Sequence, residues 1–214
     1  FDAALMRVEE GIIKVVDTSG DNHLGGKNLD YAIVDQILIP HLAEEYSIEE
    51  LIADPVGRSQ LRDALKPQAE QIKKDFSTQK EVKAYIEEDN LGQDDSGVEM
   101  ELDLTVNLEQ FEAAVGPHIQ QAIDISQSML KRNHLSGRDL ESVLLVGGPT
   151  FLPTLRNMIR DQITTNVNFS IDPMTCVAAG AALYASTKDI PSNLVVRDKG
   201  RIQLTLKYPE TTVE

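Results

Sequence analysis

Two pairs of adjacent glycines are the residues whose type and position most directly suggest ligand chemistry. Gly25-Gly26 precedes a segment with helical spacing, and Gly147-Gly148 follows the short apolar run 143–146. Positions without a Cβ atom let a ring or a phosphate approach the backbone closely, and a helix that begins nearby offers N–H groups and a partial positive charge. Paired glycines at a strand end more often serve the turn alone, so both interpretations stay open.

The elements around the glycines predict how the two pairs could reach one cleft. Residues 3–16 carry apolar side chains on both sides of Glu9-Glu10-Gly11, which predicts a β-hairpin. The run 143–146 predicts a strand buried on both faces, followed by a turn and a helix. Ligands of α/β layers bind at the carboxyl ends of strands, so we expect both glycine pairs to line one cleft.

The middle of the chain is predicted to contain helices and a second hairpin. A first helix follows the glycine pair and runs to Pro40. Residues 58–76 have a polar, helical pattern with Pro67 as a kink or break. Apolar and polar residues alternate over 82–86 and 102–106, which predicts an antiparallel hairpin.

The last part of the chain returns to helices and a buried strand. Asn107 and Gln110 form a capping-box pattern for a long helix that extends to about His134. The alanine-rich residues 175–185 predict a further helix. We therefore expect an α/β layer at both ends of the chain, with an insertion over residues 27–115.

Composition excludes several classes of partner and site. The 214 residues include 20 Lys and Arg against 35 Asp and Glu, a net charge of −15, which would repel nucleic acid. The lone Cys176 excludes an intrachain disulfide and a multi-cysteine zinc site, and it fits a reducing compartment such as the cytoplasm. No apolar run approaches the roughly 20 residues that cross a bilayer, so no membrane association is expected.

Three segments carry a resemblance to a known family. They are DTSGDNHLGG (17–26), LLVGGPTFLP (144–153) and DPMTCVAAGAA (172–182). Together and in this order they resemble the ATPase domain of the 70-kDa heat-shock (DnaK-type) chaperones. The resemblance extends over about residues 1–187 and corresponds to the second of that domain's two lobes.

The resemblance implies a specific architecture. The fold class would be α/β: an actin-like (ribonuclease H-like) ATPase lobe with an inserted α+β subdomain. Residues 1–26 and 116–187 would form the core subdomain, and residues 27–115 the inserted subdomain. Residues 188–214 would form a linker and the start of a β-strand segment.

The resemblance also assigns roles to the glycine pairs and to one acid. Gly147 and Gly148 resemble the turn that touches the adenosine and the phosphates, and Gly25 and Gly26 resemble a pair near the ribose side of the cleft. Asp2 resembles an acid near the bound cations.

Five further residues lie where the family's inserted subdomain holds adenine and ribose: Glu70, Lys73, Lys74, Ser77 and Thr78. The first four are spaced i, i+3, i+4 and i+7, so they are predicted to share one helix face. Without the resemblance, these charges would be interpreted as a solvated salt-bridge face.

Several positions depart from the family pattern. Phe151 stands where an arginine is usual, so adenine would stack between Phe151 and Lys74 by ring stacking and cation–π contact. Pro149, Met174 and Lys27 replace polar or acidic residues. These changes weaken the inherited polar network and indicate a divergent member.

The implied function is that of a chaperone fragment. The intact parent would couple ATP hydrolysis to peptide binding, with ATP or ADP, with Mg²⁺ held through the other lobe, and with a monovalent cation as a further candidate. Phe1-Asp2 resembles the end of the family's second phosphate motif, and the first phosphate loop and the catalytic lysine would lie before it. Because phosphoryl transfer needs both sides of the cleft, this chain alone is expected to be inactive.

Expected partners are nucleotide, the first ATPase lobe, a peptide-binding domain, and an exchange factor or co-chaperone that contacts the helix over 29–42 and the inserted subdomain. An alternative is a non-hydrolysing relative that acts as a protein-interaction scaffold or exchange factor. A sugar or acetate kinase of the same actin-like class is a third hypothesis, but it lacks the His-Leu-Gly-Gly context.

Overall fold

The computed structural model of the chain describes residues 1–87 and 90–188. The chain divides into two compact units, Phe1–Met174 and Thr175–Glu214. The predicted linker and the strand expected after it lie outside the described residues.

The first element is the predicted β-hairpin, which the structure confirms. Strand β1 (Asp2–Glu9) pairs antiparallel with β2 (Ile12–Gly20) around a turn at Glu10 and Gly11. Both turn residues have positive φ, 52° for Glu10 and 78° for Gly11. Strand β2 continues to Gly20, although its last residues are typical of turns, because they pair with the first residues of β1 and the backbone ladder outweighs their local preference.

A long helical segment follows, and its end differs from the prediction. It consists of α1 (Gly26–Ile33), a π-helical turn (Val34–Leu38) and α2 (Ile39–Glu45). The prediction that the helix ends at Pro40 is wrong. Pro40 stands at the start of α2, directly after the π-helical turn, where the changed hydrogen-bond pattern accommodates a residue without an N–H group.

Two helices and a hairpin complete the middle of the chain. They are α3 (Glu49–Ala53), α4 (Pro55–Asp75), β3 (Glu81–Ile86) and β4 (Leu102–Asn107). Helix α4 continues through Pro67, so the helix does not break there as the sequence analysis allowed. Strands β3 and β4 pair antiparallel, as predicted.

The capping box is also confirmed, at the start of α5 (Leu108–Arg132). The Asn107 side chain accepts a hydrogen bond from the Gln110 N–H at 2.9 Å, and the Gln110 side chain accepts one from the Asn107 N–H at 3.0 Å. These bonds satisfy N–H groups at the helix start that have no partner within the helix.

The apolar run before the second glycine pair forms a much shorter strand than predicted. Strand β5 (Val143–Leu144) pairs in parallel with β6 (Val167–Asn168), and α6 (Pro153–Gln162) connects the two strands along the chain. The prediction of a strand buried on both faces is wrong, since Leu144 is 51% exposed. Among the described residues β5 and β6 form a sheet of two strands, too small to bury the run. The order of strand, turn and helix is confirmed.

Most of the buried apolar side chains of the first unit form one cluster. It combines residues of α1, α2, α4, β3, β4 and the first part of α5, and Phe76 stacks on Phe111 with ring centroids 4.3 Å apart. A smaller cluster contains Leu5, Met129 and Leu130 and joins β1 to the last turn of α5.

The second unit is described as far as residue 188 and contains α7 (Cys176–Ser186), which confirms the helix predicted from the alanine-rich segment. Among the described residues, none of the helices combines the length and the apolarity needed to span a bilayer.

Candidate functional site

The two glycine junctions approach each other in the first unit. Gly25 is the N-cap of α1, and Gly26 is its first residue. A Cβ atom built on Gly26 would lie 3.3 Å from Pro149 Cγ and 3.7 Å from Lys73 Nζ. The structure therefore brings together the start of α1, the last turn of α4 and the turn after β5.

The start of α1 is held by a reciprocal pair of hydrogen bonds. The Gly25 N–H donates to Asn28 Oδ1 at 2.8 Å, and the Asn28 N–H donates to the Gly25 carbonyl oxygen at 2.9 Å. Gly26 follows directly, so these bonds fix the backbone that faces Pro149.

Lys73 reaches the same place from α4 and is held by a buried carboxylate. Its Nζ atom lies 2.5 Å from Asp30 Oδ1 and 3.4 Å from the Gly26 carbonyl oxygen. The Lys73 side chain is 13% exposed and the Asp30 side chain 5%. Asp30 was missed by the sequence reasoning. The available signal was an acidic residue in the apolar stripe of α1, since buried charges are usually paired.

A second set of charges continues from this pair along α4. Glu70 Oε1 lies 2.9 Å from Lys74 Nζ, and Glu70 Oε2 lies 3.9 Å from Lys66 Nζ. The hydrogen bond from Lys74 lowers the pKa of Glu70, and the same bond raises the pKa of Lys74. Lys66 also lies 4.0 Å from Asp30, so the three lysines face two carboxylates and one net positive charge remains.

Ser77 and Thr78 lie beyond the end of α4. The helix ends at Asp75, the Ser77 N–H donates to the Lys74 carbonyl oxygen at 3.0 Å, and the Thr78 hydroxyl donates to the Asp75 carbonyl oxygen at 3.4 Å. The predicted helix face is confirmed for Glu70, Lys73 and Lys74, which lie in α4, and is wrong for Ser77, which lies outside the helix. The backbone tightens into a turn before Ser77.

The turn after β5 depends on its first glycine. Gly147 has φ 94°, a conformation that residues with a side chain rarely adopt. The Thr150 hydroxyl donates to the Gly147 carbonyl oxygen at 2.6 Å, and the Gly147 N–H donates to the Pro173 carbonyl oxygen at 2.9 Å. A Cβ atom on Gly148 would lie 3.8 Å from Met174 Sδ. The turn is thus fixed by one hydrogen bond within it, from Thr150, and by one to the segment that contains Pro173.

Phe151 ends this turn and is 39% exposed. The guanidinium carbon of Arg156 lies 5.7 Å from the ring centroid, and Arg156 Nε donates to the Thr150 carbonyl oxygen at 2.6 Å. Lys74 pairs with Glu70, and Arg156 lies over the Phe151 ring. The stacking of adenine between Phe151 and Lys74 stays a prediction. The sequence reasoning missed Arg156, although it lies in the first turn of α6, five residues after Phe151.

Asp2 lies at the start of β1, opposite Gly20. The Asp21 N–H donates to the Phe1 carbonyl oxygen at 2.8 Å, which places Asp2 beside the loop that leads to Gly25. In the part of the chain that the structure describes, there is no group of three or more His, Cys, Asp or Glu side chains that could hold a metal ion. A role for Asp2 near cations stays a prediction.

A separate open groove of about 630 Å³ lies between the loop after β2 and the middle of α5. Its lining includes Asp21, His23, Gln121 and Asp124. The Gln121 side chain donates to Asp21 Oδ2 at 2.9 Å, so a hydrogen bond already connects α5 to the loop on the other side of the groove.

Comparison with known proteins gives one consistent result. The family model described as Hsp70 protein matches residues 1–203. The chaperone protein DnaK of Methanothermobacter thermautotrophicus is 32% identical over 186 residues, which cover 86% of this chain and 29% of that protein.

Two further relatives have the same printed description. DnaK of Picrophilus torridus is 30% identical over 224 residues (100% of this chain, 35% of that protein), and DnaK of Nitrosopumilus maritimus is 28% identical over 203 residues (92% and 30%). The chain spans about a third of the length of these relatives. From the extent of the family match, the chain belongs to the Hsp70 protein family.

Proposed function

We propose that this chain forms the adenosine-binding side of the ATP/ADP cleft of an Hsp70-type chaperone. One observation carries the proposal: Gly26, Lys73 and Pro149 lie within contact distance although they are far apart in the sequence. The family implies the actin-like ATPase fold, with which the mixed α/β structure agrees. In such folds a ligand occupies the crevice where loops from separate elements meet.

Each candidate residue has a chemical part in this proposal. Gly26 lets Pro149 and Lys73 approach its backbone closely, and Gly26 and Gly148 present backbone without a side chain to the ligand. Lys73 donates to a ribose hydroxyl or a phosphate oxygen while Asp30 holds its ammonium group. Glu70 accepts hydrogen bonds from ribose hydroxyls, because its pKa is lowered and its carboxyl group stays ionised.

The remaining candidate residues would line the same side of the cleft. Phe151 offers one exposed ring as a stacking surface for adenine. Gly25 and Gly147 shape the two junctions, and the hydroxyl groups of Ser77 and Thr78 lie at the end of α4 as further polar candidates. Lys66, Lys73 and Lys74 keep one net positive charge after pairing with Asp30 and Glu70. Because phosphate groups carry several negative charges, this small excess suits contacts with ribose hydroxyls more than with phosphates.

The division into subdomains belongs to the same proposal. A core subdomain would contain residues 1–26 and 116–187, an inserted subdomain residues 27–115, and a linker residues 188–214. Two apolar clusters support a division, one centred on the middle of the chain and one that joins β1 to α5. Helix α5 contributes to both clusters and would connect the subdomains.

Hydrolysis and peptide coupling are proposed for the complete protein, not for this chain. Asp2 is a single carboxylate, and the described residues contain no group of three or more His, Cys, Asp or Glu side chains that could hold a metal ion, so a cation beside Asp2 would need further ligands. We propose that the remaining cation ligands and the groups that position the attacking water come from other parts of the protein. We expect this chain by itself to hydrolyse no ATP.

Titration of the full-length protein with ADP by calorimetry tests the proposal. Gly26→Leu places a side chain between Lys73 and Pro149 and is expected to abolish binding. Gly116→Leu is the matched control, because a Cβ atom there meets nothing within 4 Å. Equal affinity in both variants, or no binding by the unmodified protein, would refute the nucleotide site and leave the scaffold hypothesis.

A further inference from the structure

Two exposed aromatic rings and two arginines form an alternating row beside the turn after β5. The guanidinium carbon of Arg156 lies 5.7 Å from the Phe151 ring centroid and 4.8 Å from the Phe169 ring centroid. Arg160 lies 5.2 Å from the Phe169 centroid. Phe151 and Phe169 are 39% and 44% exposed. Arg156 thus contacts both rings, whereas Arg160 contacts Phe169, which we call the outer ring.

Arg156 is also tied to the backbone of the turn. Its Nε atom donates to the Thr150 carbonyl oxygen at 2.6 Å, and the Thr150 hydroxyl donates to the Gly147 carbonyl oxygen at 2.6 Å. Thr150 is buried, and so is Leu152 on the other side of Phe151. The residues before and after Phe151 are therefore anchored, and Arg156 restrains the ring between them.

We propose that Arg156 is a positioning residue that holds the Phe151 ring for a purine base and so sets the base preference of the cleft. This inference rests on the proposed nucleotide function and adds a residue to it. The guanidinium group contacts the Phe151 ring, and Phe151 remains 39% exposed and so accessible to a ligand. A ring that is already fixed loses little conformational entropy when a base stacks on it.

Ring size gives the preference its direction. A bicyclic purine covers more of a phenyl ring than a monocyclic pyrimidine does, so ADP gains more than UDP from a Phe151 ring held in the stacking position and loses more when the ring can turn away. The positive charge of Arg156 is also attracted electrostatically to the face of the Phe151 ring, which helps to hold the ring in place. Among the described residues, Arg156 is the cation that contacts the Phe151 ring.

The test compares ADP and UDP binding to the full-length protein by calorimetry. R156A is expected to weaken ADP binding about fivefold and UDP binding much less, so that the ratio of the two affinities falls. R156K retains the charge but not the planar group, and its ratio is expected to lie between those of R156A and the unmodified protein. R160A is the matched control, since Arg160 contacts only the outer ring, and its ratio is expected to be unchanged.

The outcomes separate this inference from the function on which it rests. If R156A lowers ADP and UDP affinity by the same factor, or changes neither, the ratio of the two affinities stays constant and the inference is overturned. Thermal unfolding of each variant confirms that it is folded. Absence of ADP binding in the unmodified protein refutes the proposed function instead.

Discussion

The ammonium group of Lys73 lies 2.5 Å from Asp30 Oδ1, and both side chains are largely withdrawn from solvent. This pair joins α1 to α4 at the place where Gly26 faces Pro149. A lysine fixed in this way keeps one direction toward a ligand, because its ammonium group cannot turn without leaving the carboxylate unpaired.

Asp30→Asn is predicted to lower the free energy of unfolding by about 3 kcal/mol, because it leaves the Lys73 charge buried without its partner. Urea unfolding followed by circular dichroism measures this change. The matched control is Asp35→Asn, which breaks an ion pair with Arg62 on the same two helical segments. That pair is about one-third exposed, so a loss of about 1 kcal/mol or less is expected. Equal losses in the two variants would contradict the special position of Asp30.

The acid stability of the protein is predicted to depend on Asp17. Hydrogen bonds from the side chains of Arg132 and then Asn133 hold the pKa of Asp17 far below its ordinary value. A depressed pKa in the folded state contributes stability above the unfolded-state pKa of about 3.9, and this contribution is lost as the pH falls toward the folded value.

Asp17→Asn is therefore expected to flatten the pH dependence of the unfolding free energy below about pH 4. Urea unfolding at several pH values measures the slope. The same acid slope in the variant and the unmodified protein would show that Arg132 does not hold Asp17 in solution.

Gly137→Ala is predicted to destabilise the protein by about 1–3 kcal/mol, because a side chain there overpacks the structure. A Cβ atom at this position would lie 1.7 Å from the Ile163 carbonyl oxygen, so the backbone must move. Gly116→Ala, in the open part of α5, is expected to leave stability unchanged or to raise it by up to about 1 kcal/mol. Thermal unfolding of both variants is the measurement, and a neutral Gly137→Ala would contradict the close approach of the two segments.

Local patterns predicted the elements of the fold whose causes are local. The hairpin around Gly11 and the capping box at Asn107 follow from residues next to each other in the sequence, and the structure contains both. The end of the helix at Pro40 and the burial of Leu144 were predicted wrongly. A π-helical turn and the number of strands in a sheet depend on neighbours that a short pattern does not contain.

The candidate site shows the same division. The glycine junctions could be found from sequence, since a missing side chain before a helix is a local feature. Asp30 could not, because its partner Lys73 lies 43 residues away in the sequence. Arg156 is only five residues from Phe151, but its contact with the ring depends on the path of the backbone between them. A charged residue in an apolar stripe was the one signal that pointed to Asp30.

The central claim is that the start of α1, the end of α4 and the turn after β5 line one nucleotide cleft. Hydrogen exchange of the full-length protein, measured by mass spectrometry with and without ADP, tests it most directly. The account predicts that ADP slows exchange together in residues 25–30, 70–78 and 147–151. Protection of only one of these segments, or of none while ADP is bound, would contradict it.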